Sequence, residues 1–230
     1  MRSLISFSLL LLTKVVSRTL FTLKVNWPID KNKLPWDDVK LIILLNHTSL
    51  LEPLYAGALP VRFLRTLSKK MVAPGADKTL NRPIVGLFYK LFSPGMVAIT
   101  RKRDETWEQF TRAIATDSIT VIIPEGRMKR PTGLDLNGNK MTVKGGVADV
   151  LSVLKGGHMA IAYSGGLHHI HAPGEKAYRF FKTIKLNLDV LPINEYNNQF
   201  NLTVGSEEWK KAVIADLQHR LETKVPKLDE

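Results

Sequence analysis

Apolar and polar positions divide this chain into two regimes. From Leu4 to Leu12 (LISFSLLLL) no charge interrupts the run, and VVS and LFTL follow it, punctuated by Lys14, Arg18 and Lys24. At 1.5 Å per residue such a nine-residue helix covers only about 13 Å, against a hydrocarbon core of ~30 Å. Extending it to Val25 would place Lys14 and Arg18 near mid-bilayer, where charge is costly. These two cations stand four residues apart and share one face of a helix. The pattern therefore predicts a helix lying in a membrane interface, basic side toward the headgroups. A cleaved signal with Arg2 as its basic start is the alternative, but Val15-Val16-Ser17 is a poor cleavage site. An ordinary core helix is the blander one.

From Asp37 onward, strand-like and helix-like segments alternate. Val39–Leu45 is a buried-strand run, Ile119–Ile123 is β-branched throughout, and Met159–Tyr163 is a third strand. Met96–Thr100 is short and apolar. Ile184, Leu186, Leu188 and Val190 alternate with Lys185, Asn187 and Asp189, the mark of a strand with one wet face. Helices are expected at Leu50–Leu59, at Arg82–Phe92 with Pro83 in its first turn, and at Asp104–Thr116 with Trp107, Phe110, Ala113 and Ile114 on one face. Two more are expected at Gly145–Leu154 and at Glu207–Lys224, the latter with Trp209, Val213, Leu217 and Leu221 as its stripe. This order predicts an α/β domain, a mixed and mostly parallel sheet with helices on both faces. The division is residues 1–26 as a membrane-associating segment and 27–230 as one domain.

Composition narrows the partners. The 230 residues carry 33 Lys and Arg against 21 Asp and Glu, a net charge of +12, so an anionic partner is expected. There is no cysteine, which excludes disulfides, thiolate metal sites and cysteine nucleophiles. Nucleic acid would suit the charge, yet no recognised module appears, and no nucleic-acid partner is expected.

Three clusters carry candidate chemistry. Asn46-His47-Thr48-Ser49-Leu50-Leu51-Glu52 follows the first strand, where α/β sheets bind ligands. A carboxylate five residues beyond a histidine can hold one ring nitrogen while the other takes a proton. Ser49 and Glu52 equally match a helix capping box. Pro124-Glu125-Gly126-Arg127 follows the strand Ile119–Ile123, and its arginine can fork onto a phosphate. Gly95 precedes Arg101 by six residues, with Lys102 and Arg103 behind it.

In order and spacing the three blocks resemble those of the glycerolipid acyltransferase superfamily, over roughly Leu41 to Gly166. The resemblance implies acyl transfer from a thioester donor, acyl carrier protein or CoA, to the hydroxyl of a lysophosphatidate or lysophospholipid. His47 would be the general base and Glu52 its orienter. Arg101 and Arg127 would hold the substrate phosphate, and Gly95, Glu125 and Gly126 would line the acceptor pocket. No cofactor and no metal are implied. The expected location is a membrane surface, the cytoplasmic face of a bacterial inner membrane. Glu52 stands where the family has aspartate, and Arg127 follows Gly126 without the usual Thr or Ser. With the polar loop around Thr132-Gly133, that form is similar to lysophosphatidylethanolamine acyltransferases. A fourth family block has only the weak match Met159–Gly166, which lacks its proline.

Other readings compete. A non-catalytic phospholipid-binding protein at the membrane would need the basic surface and the anchor but no His–carboxylate pair. Ala162-Tyr163-Ser164-Gly165-Gly166 imitates a nucleophile elbow, but a Pro/Gly loop follows where a helix should. His168, His169 and His171 could bind zinc, without any supporting motif. Asp135-Leu136-Asn137-Gly138-Asn139 opens like a calcium loop, but its twelfth position is Gly146 rather than Glu.

Overall fold

The computed structural model describes residues 1–100, 102–114 and 117–228. Seven strands, β1 (Thr22–Asn26), β2 (Val39–Leu45), β3 (Met71–Ala76), β4 (Gly95–Ile99), β5 (Ile119–Ile122), β6 (His158–Ser164) and β7 (Thr183–Pro192), form one sheet in the order β1-β7-β6-β2-β5-β3-β4. β6, β2, β5, β3 and β4 run parallel; β7 is antiparallel to β6, and β1 is parallel to β7. The helices are α1 (Arg2–Leu20), α2 (Val61–Lys70), α3 (Asp77–Leu80), α4 (Pro83–Phe92), α5 (Glu105–Ala113), α6 (Gly146–Val153), α7 (Ile193–Asn198) and α8 (Glu207–Lys224). The expected mixed, mostly parallel α/β sheet is therefore present.

Alternation along the central strands divides the interior. Leu41, Ile43 and Leu45 of β2, with Met159, Ile161 and Tyr163 of β6, pack on one face with Phe110, Val147, Leu151 and the Trp209-Val213-Leu217 stripe. That face is filled. On the other, Leu10 of α1 and Phe63, Leu64 and Leu67 of α2 pack with Trp36. There Ile42, Leu44, Val121, Ala160, Ala162, Leu188 and Val190 border a cavity of about 830 Å³.

Three expectations are corrected. The segment Leu50–Leu59 holds a 3₁₀ turn, Glu52–Gly57, with Pro53 in its first turn, rather than an α-helix. Thr22–Asn26, assigned to the N-terminal segment, is an edge strand in register with Thr183–Asn187. The N-terminal helix spans 19 residues, Arg2–Leu20, not just the greasy run, and is long and apolar enough to cross a membrane by length and composition. Its cations, however, reach back into the protein. Lys14 Nζ donates to the carbonyls of Gly57 (2.9 Å) and Leu59 (2.6 Å), and Arg18 Nε donates to Gly57 (3.0 Å). They cap carbonyls that the short 3₁₀ turn leaves without partners. Burial, helped by the adjoining Arg18, brings the Lys14 ammonium down to about 8. Leu4, Ile5, Leu12 and Val15 face out from α1, alongside Arg2, Ser8, Arg18 and Thr19. Close packing fixes this orientation, since a Cβ on Gly57 would stand 2.4 Å from Ser17 Oγ.

Candidate active site

β2 and β5 are hydrogen-bonded neighbours, and both end at the same edge of the sheet. This adjacency brings two blocks far apart in sequence to one place. After Leu45 the chain turns through Asn46, whose φ of 67° lies in the left-handed region that Asn tolerates better than most residues. The turn is held from the loop after β5. Glu125, 2% exposed, accepts the backbone N–H of Asn46 at 2.7 Å on Oε1 and that of His47 at 3.2 Å on each oxygen. Burial raises the Glu125 carboxyl, and the nearby His47 and the two N–H bonds oppose that rise. Lys129 N–H donates to the His47 carbonyl at 2.7 Å, and Asn46 Nδ2 donates to Ser164 O at 2.8 Å. The catalytic candidate thus sits on a turn bonded to β6 and to the loop after β5.

His47 Nδ1 meets Glu52 Oε1 at 2.8 Å. The same oxygen accepts the N–H of Ser49 at 3.2 Å, so Glu52 ties down the loop before the 3₁₀ turn and contacts the imidazole at once. The turn itself has no side-chain cap, so the capping-box reading is not realised. Glu52 is 7% exposed, and both side chains line the cavity.

The remaining candidates divide. Arg127 lines the cavity, and its Nη1 donates to Asp135 Oδ2 at 2.6 Å. Asp135 also accepts N–H bonds from Asn139 (2.9 Å) and Asn137 (2.8 Å), which hold its carboxyl at about 2, with Arg127 contributing. The loop that imitates a calcium site is a seat for an arginine. Gly126 lines the cavity with φ +68°, and a Cβ there would meet nothing within 4 Å, so its need for glycine is conformational. Glu125 also borders the cavity, but its carboxylate is spent on the Asn46–His47 backbone rather than turned toward a ligand. Gly95 does not belong with this group. It opens β4 at the opposite edge, where a Cβ would come within 2.7 Å of Met71 O, so it serves close strand packing. Arg101 lies outside the described residues. β3 separates β5 from β4, so the loop after β4 approaches from two strands away, and its Lys102 and Arg103 line the cavity mouth.

The rejected alternatives also find their places. Ser164 is buried, hydrogen-bonded to Tyr55 OH and to Gly166 N–H. The rings of His168, His169 and His171 bond three separate carbonyls, those of Lys129, Thr183 and Glu175. Sequence reasoning missed the Glu125 clamp and Asp135. An Asn ending a strand and an Asp-x-Asn-Gly-Asn run are the available signals, since both residue types favour left-handed or self-bonded turns.

A carboxylate-held histidine and a carboxylate-seated arginine thus line one large apolar cavity. The model of the family described as Acyltransferase matches residues 29–162, more than half of the chain. The chain belongs to the acyltransferase family. This agrees with the resemblance of its three blocks to the glycerolipid superfamily. Among solved structures it is similar to the 1-acyl-sn-glycerophosphate (LPA) acyltransferase PlsC from Thermotoga maritima, at 16% identity and a TM-score of 0.56. That match covers 98% of this chain and 83% of the other, and it bears on the fold. No curated protein sequence matches the chain.

Proposed function

We propose that this acyltransferase moves a fatty acyl group from a thioester, carried on acyl carrier protein or CoA, to the hydroxyl of a lysophosphatidate or lysophospholipid at a membrane surface. The observation that carries the reading is the 2.8 Å contact between His47 Nδ1 and Glu52 Oε1 in the lining of the cavity. With Nδ1 held, Nε2 takes the hydroxyl proton as the acceptor oxygen attacks the thioester carbonyl. The tetrahedral intermediate collapses, the C–S bond breaks, and the imidazolium returns its proton to the departing thiolate. Glu52 favours the imidazolium formed between these steps, as an orienting carboxylate does. The transfer is direct, with no covalent enzyme intermediate.

The acyl chain of the donor fits the apolar cavity, whose volume lies within the ~300–1,000 Å³ typical of ligand sites. The acceptor phosphate is assigned to Arg127, aimed by Asp135, together with Arg101. A guanidinium seated on one carboxylate keeps further N–H groups for a phosphate fork. The name of the Thermotoga structure supports a lysophosphatidate-type acceptor. The exposed Leu4, Ile5, Leu12 and Val15 of α1 support attachment to a membrane. The test is thiol release from acyl-CoA and acyl carrier protein thioesters over a panel of lysolipids; a protein without cysteine adds no thiol background. Transfer to none of them would leave a lipid-binding protein as the better reading.

A further inference from the structure

Between β6 and β7 the chain crosses the sheet edge, and its stretch Gly174–Lys182 is exposed at every position. These residues carry three aromatic rings, Tyr178, Phe180 and Phe181, and three cations, Lys176, Arg179 and Lys182, against the single acid Glu175. The rings are 53%, 50% and 78% exposed. Rings displayed to water in this way mark a contact surface.

The display is built into the backbone. Phe181 has φ +58°, a conformation rarely held by a bulky side chain. It is kept there by two hydrogen bonds to the end of α1 and the start of β1: Phe181 N–H to Leu20 O at 2.7 Å, and Thr22 N–H to Lys182 O at 3.1 Å. Phe180 leans on the buried Phe21 at 6.1 Å, and Tyr178 stacks on His171 at 4.2 Å. Arg179 is bonded to both carboxylate oxygens of Glu175 at 2.8 and 2.9 Å. A strained residue that its surroundings over-determine points to a use for the strain.

Strand direction locates that use. β7 runs against β6, with Leu186 opposite Ser164, so Thr183 and the loop before it stand at the carboxyl edge of β6. β6 is parallel to β2, so this is also the edge that carries His47. The last turn of α1 ends there as well, because Thr22 pairs with Thr183.

We propose that the loop 174–182 is a second membrane contact, besides α1, in which Phe181 and its neighbouring rings enter the interface of an anionic bilayer. Lys176, Arg179 and Lys182 meet the headgroups, and the carboxyl edge with His47 is thereby turned toward lipid. Aromatic rings flanked by cations suit the headgroup level, where one side is apolar and the other wet and anionic. The purpose assigned to this orientation rests on the proposed membrane-lipid acceptor.

Phe181→Gly separates the surface role from a structural one. Glycine takes φ +58° without strain, so the melting temperature of the full chain should hold or rise. Sedimentation with vesicles of phosphatidylcholine containing phosphatidylglycerol should nevertheless weaken, by roughly tenfold for one partly buried ring. Phe181→Trp should restore binding. Transfer to a long-chain lysolipid in those vesicles should fall in step, while transfer to a soluble short-chain acceptor should not change. Unchanged vesicle binding, or a loss that only accompanies a lower melting temperature, overturns the proposal. So does a variant whose KM rises for the carrier-protein thioester alone, since the loop would then dock an acidic protein. If the wild type acylates neither acceptor, the function proposed above fails, and the vesicle measurement still decides the role of the loop.

Discussion

Glu52→Gln isolates charge from shape. The amide oxygen can occupy the place of Oε1 and still accept from both His47 Nδ1 and Ser49 N–H, now at 2.8 and 3.2 Å. What disappears is the negative charge facing an imidazolium. At a charge separation of ~4 Å and an effective dielectric constant of about 20, that attraction is about 4 kcal/mol. At 1.36 kcal/mol for each factor of ten, kcat should fall about 10³-fold. The bond from Ser49 N–H survives, so the melting temperature should move by less than about 1 °C. Thiol release at saturating donor and acceptor measures the first quantity, and thermal unfolding the second. Were Glu52 only a tie for that loop, activity would stay within about threefold. Any damage to the tie would then appear in stability, about 1 kcal/mol or 2–4 °C for a chain of this size. That pattern would refute the assignment of Glu52 to the chemistry.

Four further outcomes follow from the same geometry. His47→Ala should lower kcat by about 10²–10⁴ with the fold retained, read by thiol release and circular dichroism. Asp135→Asn and Arg127→Lys should each raise the acceptor KM while hardly moving the donor KM, because one loosens the seat of the guanidinium and the other replaces a fork by a point charge; initial-rate kinetics with either substrate varied checks this. Glu125→Ala strips a buried acceptor from two backbone N–H groups and should lower stability by roughly 3–6 kcal/mol at ~1.5–3 kcal/mol for each bond to a charged group, measured by denaturant unfolding. Burial pushes the Asp189 carboxyl up, but Lys224, Tyr163 and Arg220 more than offset this, so its folded value lies below the unfolded one. Its stabilising contribution is therefore full at neutral pH and lost as the solution is acidified through the carboxylate range; melting curves of wild type and Asp189→Asn should converge there.

Legibility from the sequence followed local physics. β2 is fully readable, since its burial alternates along Val39–Leu45, and α8 spans Glu207–Lys224 as its stripe implies. β3 was hidden because Pro74 and Gly75 argue against a strand. Only Met71 and Val72 pair with β5, so the proline falls beyond that ladder, although it stands opposite Val97 in the ladder with β4. α2 was passed over despite Phe63, Leu64 and Leu67 at helical spacing. At the site, residue type and spacing pointed to His47 and Glu52, five positions apart on one turn. The partnership of Glu125 with Asn46 spans 79 residues and depends on which strands are neighbours. So does the misplacement of Gly95, whose block reads as a unit but occupies both ends of a strand.

The inward turn of Lys14 and Arg18 has a practical meaning for anyone wishing to separate catalyst from anchor. Leu10 of the same helix walls the cavity, and Ser17 seats against Gly57, the last residue of the turn that Glu52 begins. Helix and catalytic domain are therefore not modules. Cutting away residues 1–20 to gain a tractable soluble version would unroof the cavity and strip the cations from Gly57 and Leu59. The surviving fragment would lack a wall of the cavity that His47 and Glu52 line, so its inactivity would say nothing about whether a membrane is required. Detergent or nanodisc with the whole chain is the preparation in which that requirement can be measured.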